Sequence, residues 1–449
     1  MKSCGWEEMQ ISSQFLSASK CVGLVLLCLT TLISSGCTIP NSDNLDSYIE
    51  SPTRYAYIPI LRQDGAIKVV DTQTMELVDT IFAVNPTSVA INSDGTKVYV
   101  TERYIDRPGD VMVIDSTINK DLPEAKISEI GEQPSGLIYH QLTNSLYVTH
   151  NGGVTKVQLD DEGLPSGEVD LIPVDYNSGA IDSIGNFIFS TGPKIDSDGK
   201  TIDSGISMIN ANNTGFQAIV NEVSLKNVGS IGITIDPRNY RVFVSNRKIN
   251  TVSILTYASS QLELQQTITL DHSKGPLGLS YAKDFDSLFI ASTAVEDPFG
   301  YLPPSSETPS QLVEINLSND AKQKYYTLGT AVDAQYVFTI QPLAVHFVSE
   351  TNTIYVVKYI GANVGAGTYL SKIKTDLIGV KLETEQEVLI DSTNRPEFIG
   401  RFVGPICEKC KASRAEILLA PRQSAFDLIG IFIFLTIVFS MRYKRNIYE

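Results

Sequence analysis

The chain lacks several features that would point to particular chemistries. It has 35 Lys and Arg against 51 Asp and Glu, a formal net charge of −16, which argues against a nucleic-acid-binding surface. Tryptophan occurs once, at Trp6, which removes the tryptophan-bearing repeats of quinone-dependent redox proteins. No Gly-x-Ser-x-Gly nucleophile motif stands in a strand-to-helix context, although triads can also assemble from distant positions. Its 449 residues show no internal Pro/Gly/Ser-rich or charged linker.

Cysteine is absent from residue 38 to residue 406, as suits an exported chain. The sequence "CEKCK" holds Cys407 and Cys410, which we expect to form a local disulfide. A thioredoxin-like redox pair, a zinc site and covalent haem attachment stay open as alternatives. However, no further zinc ligands are apparent, and Lys411 stands where haem attachment needs His.

The N-terminal region predicts an export signal. After Lys20 the apolar run "CVGLVLLCLTTLISSGC" is short for a spanning helix and ends at Cys37. Its end resembles a bacterial lipoprotein signal, which implies that Cys37 is lipid-modified; an ordinary cleaved signal and an uncleaved anchor are the alternatives. Because Glu7 and Glu8 precede the run, Met9 rather than Met1 is an alternative start.

The C-terminal region predicts a transmembrane helix, "AFDLIGIFIFLTIVFSM", followed by a basic tail that belongs on the cytoplasmic side. A buried core helix and a sorting signal cut by a sortase-like enzyme are the alternatives. Both ends together predict a membrane-anchored, extracytoplasmic protein. The predicted segments are a signal peptide (1–37), a linker (38–54), a repeat domain (55–403), a juxtamembrane segment (404–424), the helix (425–441) and the tail (442–449).

The middle of the chain is built from repeats. One unit reads "PTSVAINSDGTKVYVTE" from Pro86, and its counterparts begin at Pro134, Ser230, Pro276 and Pro342, with a weaker copy from Asn177. Each has a short apolar strand, a polar turn and a Val-Tyr-Val strand, followed by a third and a fourth strand. Four antiparallel strands at a period of about 40 to 60 residues predict a β-propeller blade.

Counting these units predicts an all-β, seven-bladed β-propeller. The first unit, beginning at Tyr55, starts with its second strand, and "RPEFIGRFV", Arg395 to Val403, is the candidate for its missing inner strand. Pairing the two ends of the chain in one sheet would close the ring and hide the edge strands.

The sequences "KVYVTE", "SLYVTH" and "RVFVSN" resemble the YVTN-type repeat family of seven-bladed propellers, which is similar in shape to surface-layer and lactonase-like propellers. The residues that carry this resemblance are structural. We expect the aromatic residues of these strands to pack between blades: Tyr99, Tyr147, Phe243, Phe289 and Tyr355.

Candidate site residues are few. His140 and His346 fall on predicted inner strands and are the weak candidates for catalysis in a lactonase-like pocket at the channel mouth. No metal or other cofactor is expected, although Asp196, Asp198 and Asp203 surround a turn in "KIDSDGKTID" and are weak calcium candidates. That motif lacks the full calcium-loop spacing and its distal Glu, and a polar hairpin tip is the simpler interpretation.

Long loops offer the clearest functional signal. A Pro- and Ser-rich insertion in blade 6 carries Phe299, Tyr301 and Leu302, a blade 7 loop carries Tyr359, and the charged loop "ERYIDRPGD" of blade 2 carries Tyr104. These five are the candidates for contacting a protein or carbohydrate partner. The sequence therefore predicts a membrane-tethered binding or scaffold module, with a lactonase-like hydrolase as the alternative.

Overall fold

The computed structural model describes residues 55–60, 65–226, 228–258, 261–271, 275–292, 311–327, 339–348, 351–361, 367–375 and 382–392. These residues form seven separate antiparallel sheets. The strands of the first four sheets are β1 (Tyr55–Ile60), β2 (Ala66–Asp71), β3 (Glu76–Phe82); β4 (Pro86–Ile91), β5 (Lys97–Glu102), β6 (Gly109–Asp115), β7 (Lys120–Asp121), β8 (Ile127–Gly131); β9 (Leu137–His140), β10 (Ser145–His150), β11 (Gly153–Leu159), β12 (Pro165–Ile172); and β13 (Ile181–Ile184), β14 (Phe187–Ile195), β15 (Thr201–Asn210), β16 (Ile219–Ser224).

The remaining three sheets have four strands each. Their strands are β17 (Ser230–Asp236), β18 (Arg241–Asn246), β19 (Thr251–Ala258), β20 (Gln261–Thr269); β21 (Pro276–Ala282), β22 (Ser287–Ser292), β23 (Gln311–Asn316), β24 (Lys322–Thr327); and β25 (Thr339–Val348), β26 (Thr353–Gly361), β27 (Gly367–Thr375), β28 (Leu382–Asp391). In these sheets every strand pairs with the next strand in sequence, as in a propeller blade.

The described first strands, those of blades 2 to 7, contact one another in succession and form the inner ring around the axis. Blade 1 has three described strands, and β1 carries Tyr57 at the position that Tyr99 holds in β5. Strand β1 therefore holds the second-strand position of its blade, as the sequence predicts. The predicted inner strand from Arg395 to Val403 lies outside the described residues.

Seven buried apolar clusters hold the blades together, and each one joins two successive sheets. The cluster that joins the last blade to the first packs Tyr355 and Leu370 with Ala56 and Ile58. Because burying one Val or Ile side chain contributes about 1.5–3 kcal/mol, the several buried aliphatic residues of each interface stabilise the contact between its two blades. The apolar cores also close the ring, which confirms the seven-bladed propeller.

The aromatic residue of each second strand packs against the next blade, as predicted. Tyr99 stacks on Tyr139 with ring centroids 6.4 Å apart, and its hydroxyl donates to the Gly163 carbonyl at 2.7 Å. Tyr147 likewise donates to the Ala211 carbonyl in blade 4 at 3.0 Å. Both the ring and the hydroxyl of these tyrosines therefore join neighbouring blades.

The hydroxyl residue two positions after that aromatic residue ties neighbouring backbones together. Thr149 Oγ1 accepts from the Gly136 amide at 2.7 Å and donates to the Gly179 carbonyl of blade 4 at 2.7 Å. A Cβ on Gly136 would lie 2.5 Å from that carbonyl oxygen, so only glycine allows the two blades to approach this closely. The Thr of the repeat motif thus has a structural role as well.

Candidate functional site

The loop between the second and third strands of blade 2 is anchored by two buried acids. Glu102 ends β5 and Asp110 lies at the second position of β6, and their exposed fractions are 2% and 1%. The two residues are partners in the β-ladder, which places their side chains side by side. One carboxylate oxygen of Glu102 accepts from the Val84 amide at 2.8 Å. Two buried negative charges this close require cations.

One cation is supplied by the outermost strand of the same blade. The fourth strand of blade 2 is divided into β7 and β8 by a 3-10 turn over Pro123–Ala125, and Lys126 follows the turn. Its Nζ lies 2.6 Å from Glu102 Oε2 and 3.0 Å from Asp110 Oδ2. A single ammonium group therefore bridges both buried carboxylates.

Arg107 and Tyr104 complete the arrangement from within the loop. Arg107 donates from both terminal nitrogens to the two oxygens of Asp110, at 3.1 and 2.9 Å, and its guanidinium carbon lies 3.4 Å from the centroid of the Tyr104 ring. The Tyr104 hydroxyl donates to Glu102 Oε2 at 3.2 Å and accepts from Lys126 at 3.1 Å. We call Glu102, Tyr104, Arg107, Asp110 and Lys126 the blade 2 clamp.

The protonation states of the clamp follow from these contacts. Burial by itself would raise the pKa of Asp110, but the hydrogen bonds from Arg107 and Lys126 outweigh it and hold that pKa below its ordinary value. Burial would lower the pKa of Lys126, but its bonds to Glu102, Tyr104 and Asp110 raise it instead. The Asp110 carboxylate and the Lys126 ammonium therefore both stay charged at neutral pH.

Beyond the clamp, the loop presents an apolar tip. Ile105 is 91% exposed, and Asp106 and Pro108 beside it are also exposed. Tyr104 and Arg107 flank this tip, and both belong to the clamp. The loop therefore combines a fixed base with a protruding aliphatic side chain, an arrangement suited to contact with a partner.

The equivalent loop of blade 3 is short and closed on itself. His150 is buried; its Nδ1 lies 2.8 Å from the Asn151 carbonyl and its Nε2 lies 2.8 Å from Thr155 Oγ1. Gly152 and Gly153, with φ of 104° and 148°, make the reversal. No side chain projects from it as Ile105 projects from blade 2.

In blade 4 the equivalent loop is a long hairpin that contains the three calcium candidates. Asp196 Oδ1 accepts from the amides of Asp198 and Lys200 at 3.0 and 2.8 Å, while Asp203 accepts from the Tyr176 hydroxyl at 2.8 Å. The Asp196 carboxylate closes the turn, and the Asp203 carboxylate binds Tyr176 at the base of the hairpin. Within the described residues, no group of three or more His, Cys, Asp or Glu side chains is arranged to hold a metal ion.

Both candidate histidines lie on first strands, as expected from the sequence. His140 ends β9 and is buried, with Nδ1 2.8 Å from Thr143 Oγ1 and Nε2 2.7 Å from the Gly185 carbonyl, and burial lowers its pKa. Both nitrogens are therefore used by the turns of blades 3 and 4. His346 is half-buried in β25, opposite Tyr355. The structure does not bring the two histidines into one described contact.

The start of the inner strands is lined by hydroxyl groups that bond within the protein. Thr87 Oγ1 donates to the Pro134 carbonyl at 3.0 Å, Ser135 Oγ lies 3.0 Å from Thr149 Oγ1, and Ser230 Oγ donates to Asn246 Oδ1 at 3.2 Å. The first contact joins blade 2 to blade 3, and the other two lie within blades 3 and 5.

The other predicted site residues are placed as follows. Tyr104 lies in the clamp. The prediction that Tyr359 belongs to a blade 7 loop is wrong, because Tyr359 is half-buried in β26, paired with Gln341 and Thr368 on the neighbouring strands. The remaining candidates and both predicted membrane segments lie outside the described residues. These candidates are Phe299, Tyr301, Leu302, Cys37, Cys407 and Cys410. Of the residues that are described, none belongs to a helix long and apolar enough to cross a membrane.

Lys126 is the clamp residue that lies outside the loop singled out in the sequence. It lies in "LPEAK", between two fragments of an outer strand, and nothing in the repeat pattern marks it. The sequence feature that could have marked this position is Pro123, which interrupts the strand. After this interruption Lys126 reaches the loop between β5 and β6.

No protein-family model matches this chain, and no curated protein matches it. Several solved structures are similar in fold. The periplasmic gluconolactonase of Pseudomonas aeruginosa is 12% identical, with a TM-score of 0.52, covering 76% of this chain and 98% of that one. A candidate 6-phosphogluconolactonase of Bacteroides uniformis is 14% identical, with a TM-score of 0.54, covering 77% and 98%.

Hydrazine synthase of Kuenenia stuttgartiensis is also similar, at 12% identity and a TM-score of 0.50, covering 69% of this chain and 96% of that one. At these identities the likeness shows the fold alone. Proteins with different activities thus share this propeller, so function has to be argued from the site. The likeness to YVTN-type repeats rests on the motif residues themselves.

Proposed function

We propose that this protein is a membrane-tethered, extracytoplasmic propeller that binds a partner through its loop face, the face that carries the loops between second and third strands. The observation that carries the proposal is the blade 2 clamp, which fixes a charged loop and leaves Ile105 exposed at its tip. A preorganised tip loses little conformational entropy on binding, so it costs less free energy to dock than a free loop.

Tethering is the second part of the proposal. It is supported by the apolar run before Cys37 and by the apolar segment from Ala425 to Met441 with its basic tail. Mass spectrometry of the mature protein tests both ends, because lipidation at Cys37 and retention of the C-terminal segment each change the mass.

Site-specific photo-crosslinking in living cells tests the binding function. Benzoylphenylalanine in place of Ile105 should yield an adduct with the partner. The same group in place of Ile118, which is 59% exposed in the turn at the opposite end of β6, should yield none. If neither position gives an adduct, and the purified full chain binds no glycan, the proposed function is wrong.

A lactonase-like hydrolase is the second candidate, supported by the names of two proteins that share the fold. Its pocket would lie at the channel mouth, with His140 or His346 taking part. Assay of gluconolactone hydrolysis by the full chain tests it. Hydrolysis above the spontaneous rate that falls in the His346→Asn or His140→Asn variant, with the thermal midpoint retained, would favour the enzyme.

A further inference from the structure

The charges around the Ile105 tip divide into two groups. Arg107 and Lys126 are both held by the buried acids of the clamp. The exposed acids nearby are Asp106 on the tip and Glu129 and Glu132 beside it, and within the described part of the chain none of the three has an ion-pair partner. The clamp therefore neutralises Arg107 and Lys126, while the half-buried Arg103 of the same loop lies 3.5 Å from the Pro134 carbonyl, and the three carboxylates face the solvent.

The backbone places Glu129 and Glu132 next to the base of the loop, and Asp106 lies on the loop itself. Gly131 pairs with Gly109 across the sheet, and the Glu129 amide approaches Asp110 Oδ1 at 3.4 Å. Glu132 follows Gly131 directly and forms a β-bridge with Asn151 of blade 3. Positive φ values at Glu129 and Gly131, 62° and 127°, shape this tight connection. Two exposed acids thus lie at the base of the loop, and a third lies beside Ile105 on its tip.

We infer that the partner recognised at this site is a protein with a cationic surface around an apolar pocket, and that Ile105 enters the pocket while Asp106, Glu129 and Glu132 meet the surrounding Lys or Arg side chains. This inference rests on the proposed binding function and specifies its partner. The chemistry is that of a docking site with an apolar anchor and a charged rim.

The exposed groups favour a protein over a carbohydrate or a lipid surface. Sugar recognition would use an open aromatic face, but the Arg107 guanidinium stacks on the Tyr104 ring. A branched aliphatic tip instead gains free energy by entering an apolar pocket. Anionic phosphate or lipid headgroups would be repelled by the three carboxylates, and a second copy of a chain with a net charge of −16 would be repelled as well.

Peptide binding to the purified full chain tests the inference. The probes are a fluorescent peptide of alternating Lys and Leu and its Glu/Leu counterpart of equal length. The Lys/Leu peptide should bind, and the Glu/Leu peptide should not. Ile105→Ser should weaken binding roughly tenfold or more. The double variant Glu129→Gln with Glu132→Gln should weaken it roughly two- to fivefold per carboxylate at low salt, and by less at high salt.

Glu76→Gln with Glu263→Gln is the matched control, because it removes two exposed carboxylates from the outer strands of blades 1 and 5. It should leave binding unchanged. Equal binding of both peptides, binding of neither, or an equal effect of the two double variants would overturn the inference. The crosslink from position 105 decides separately on the proposed function. An adduct formed at undiminished yield in the Glu129→Gln, Glu132→Gln variant keeps that function but rejects a cationic partner.

Discussion

The loops of blades 2 and 4 between second and third strands are both long and charged, yet they use their charges differently. In blade 2, Glu102 and Asp110 are buried and bound by Lys126 and Arg107. In blade 4, Asp196 binds the amides of its own turn, and the Lys194 ammonium pairs with Asp175 at the surface. The first loop is fastened to the blade body, whereas the second is an extended hairpin closed at its tip.

This difference shows why composition alone does not identify a binding loop. The free energy of an ion pair depends on whether its partners are buried, because water and salt screen exposed charges. Blade 2 uses buried charge to fix an apolar tip, and blade 4 uses exposed charge to complete a turn. Of these two loops, the blade 2 loop is therefore the one whose exposed apolar tip is held by buried charge.

Removal of the shared cation should have the largest effect. We expect Lys126→Met to lower the free energy of unfolding by about 2–3 kcal/mol, since two buried carboxylates lose the ammonium that bridges them. Lys194→Met in blade 4 should cost less than about 1 kcal/mol, because its partner Asp175 is exposed. Urea unfolding of both variants measures the difference, and equal costs would contradict the comparison.

Asp110→Asn should show the pH dependence of the clamp. The folded-state pKa of Asp110 is lowered from its ordinary value of 3.8, so its stabilisation is fully present above that value and disappears as the pH falls through the lower, folded pKa. We expect the variant to be about 2 kcal/mol less stable than the parent at pH 7. The gap should begin to shrink as the pH falls below about 4, where Asp110 becomes protonated in the unfolded state, and it should close only below the lower pKa of the folded state.

Urea unfolding from pH 7 to about pH 3 measures that gap. The control is Asp198→Asn, an exposed acid of the blade 4 turn, whose difference from the parent should stay near zero at every pH. A gap for Asp110→Asn that stays constant down to about pH 3 would show that its carboxylate charge does not stabilise the loop.

Arg107→Lys should loosen the tip without unfolding the blade. Lysine cannot donate to both Asp110 oxygens in the planar geometry of arginine, nor stack as well on Tyr104. We expect faster hydrogen exchange at the amides of Ile105 and Asp106, with exchange in β6 unchanged. The control is the opposite substitution, Lys200→Arg in the blade 4 hairpin, which should leave hydrogen exchange unchanged in both loops. Unchanged exchange at the tip would mean that Arg107 does not fix it.

Asp196→Asn should have the smallest effect. The amide oxygen of Asn can still accept from the Asp198 and Lys200 amides, so the cost should stay within about 0.5 kcal/mol. Added Ca²⁺ should leave the thermal midpoint of the parent unchanged, because these bonds already use the Asp196 carboxylate. A rise in the midpoint with Ca²⁺ that is lost in Asp196→Asn would instead support the calcium site.

Much of the fold was predictable because a blade interface repeats. An apolar first strand, an aromatic residue and a hydroxyl residue recur in each unit, and these residues make the contacts between blades, as Tyr99 and Thr149 do. The clamp was not predictable, because it depends on geometry that does not repeat. The loop itself was evident in the sequence, but its pairing with Lys126 depends on how the chain re-enters the sheet after Pro123.

Crosslinking from position 105 in the parent and in the Lys126→Met variant tests the central claim most directly, since it joins the clamp to the binding function. Both proteins should be expressed at equal levels in cells, with benzoylphenylalanine at position 118 as the negative control. We predict a partner adduct in the parent that falls several-fold in the variant, because a freed tip must lose conformational entropy on docking. Equal yields in the two proteins would contradict the claim that the clamp prepares this loop for its partner.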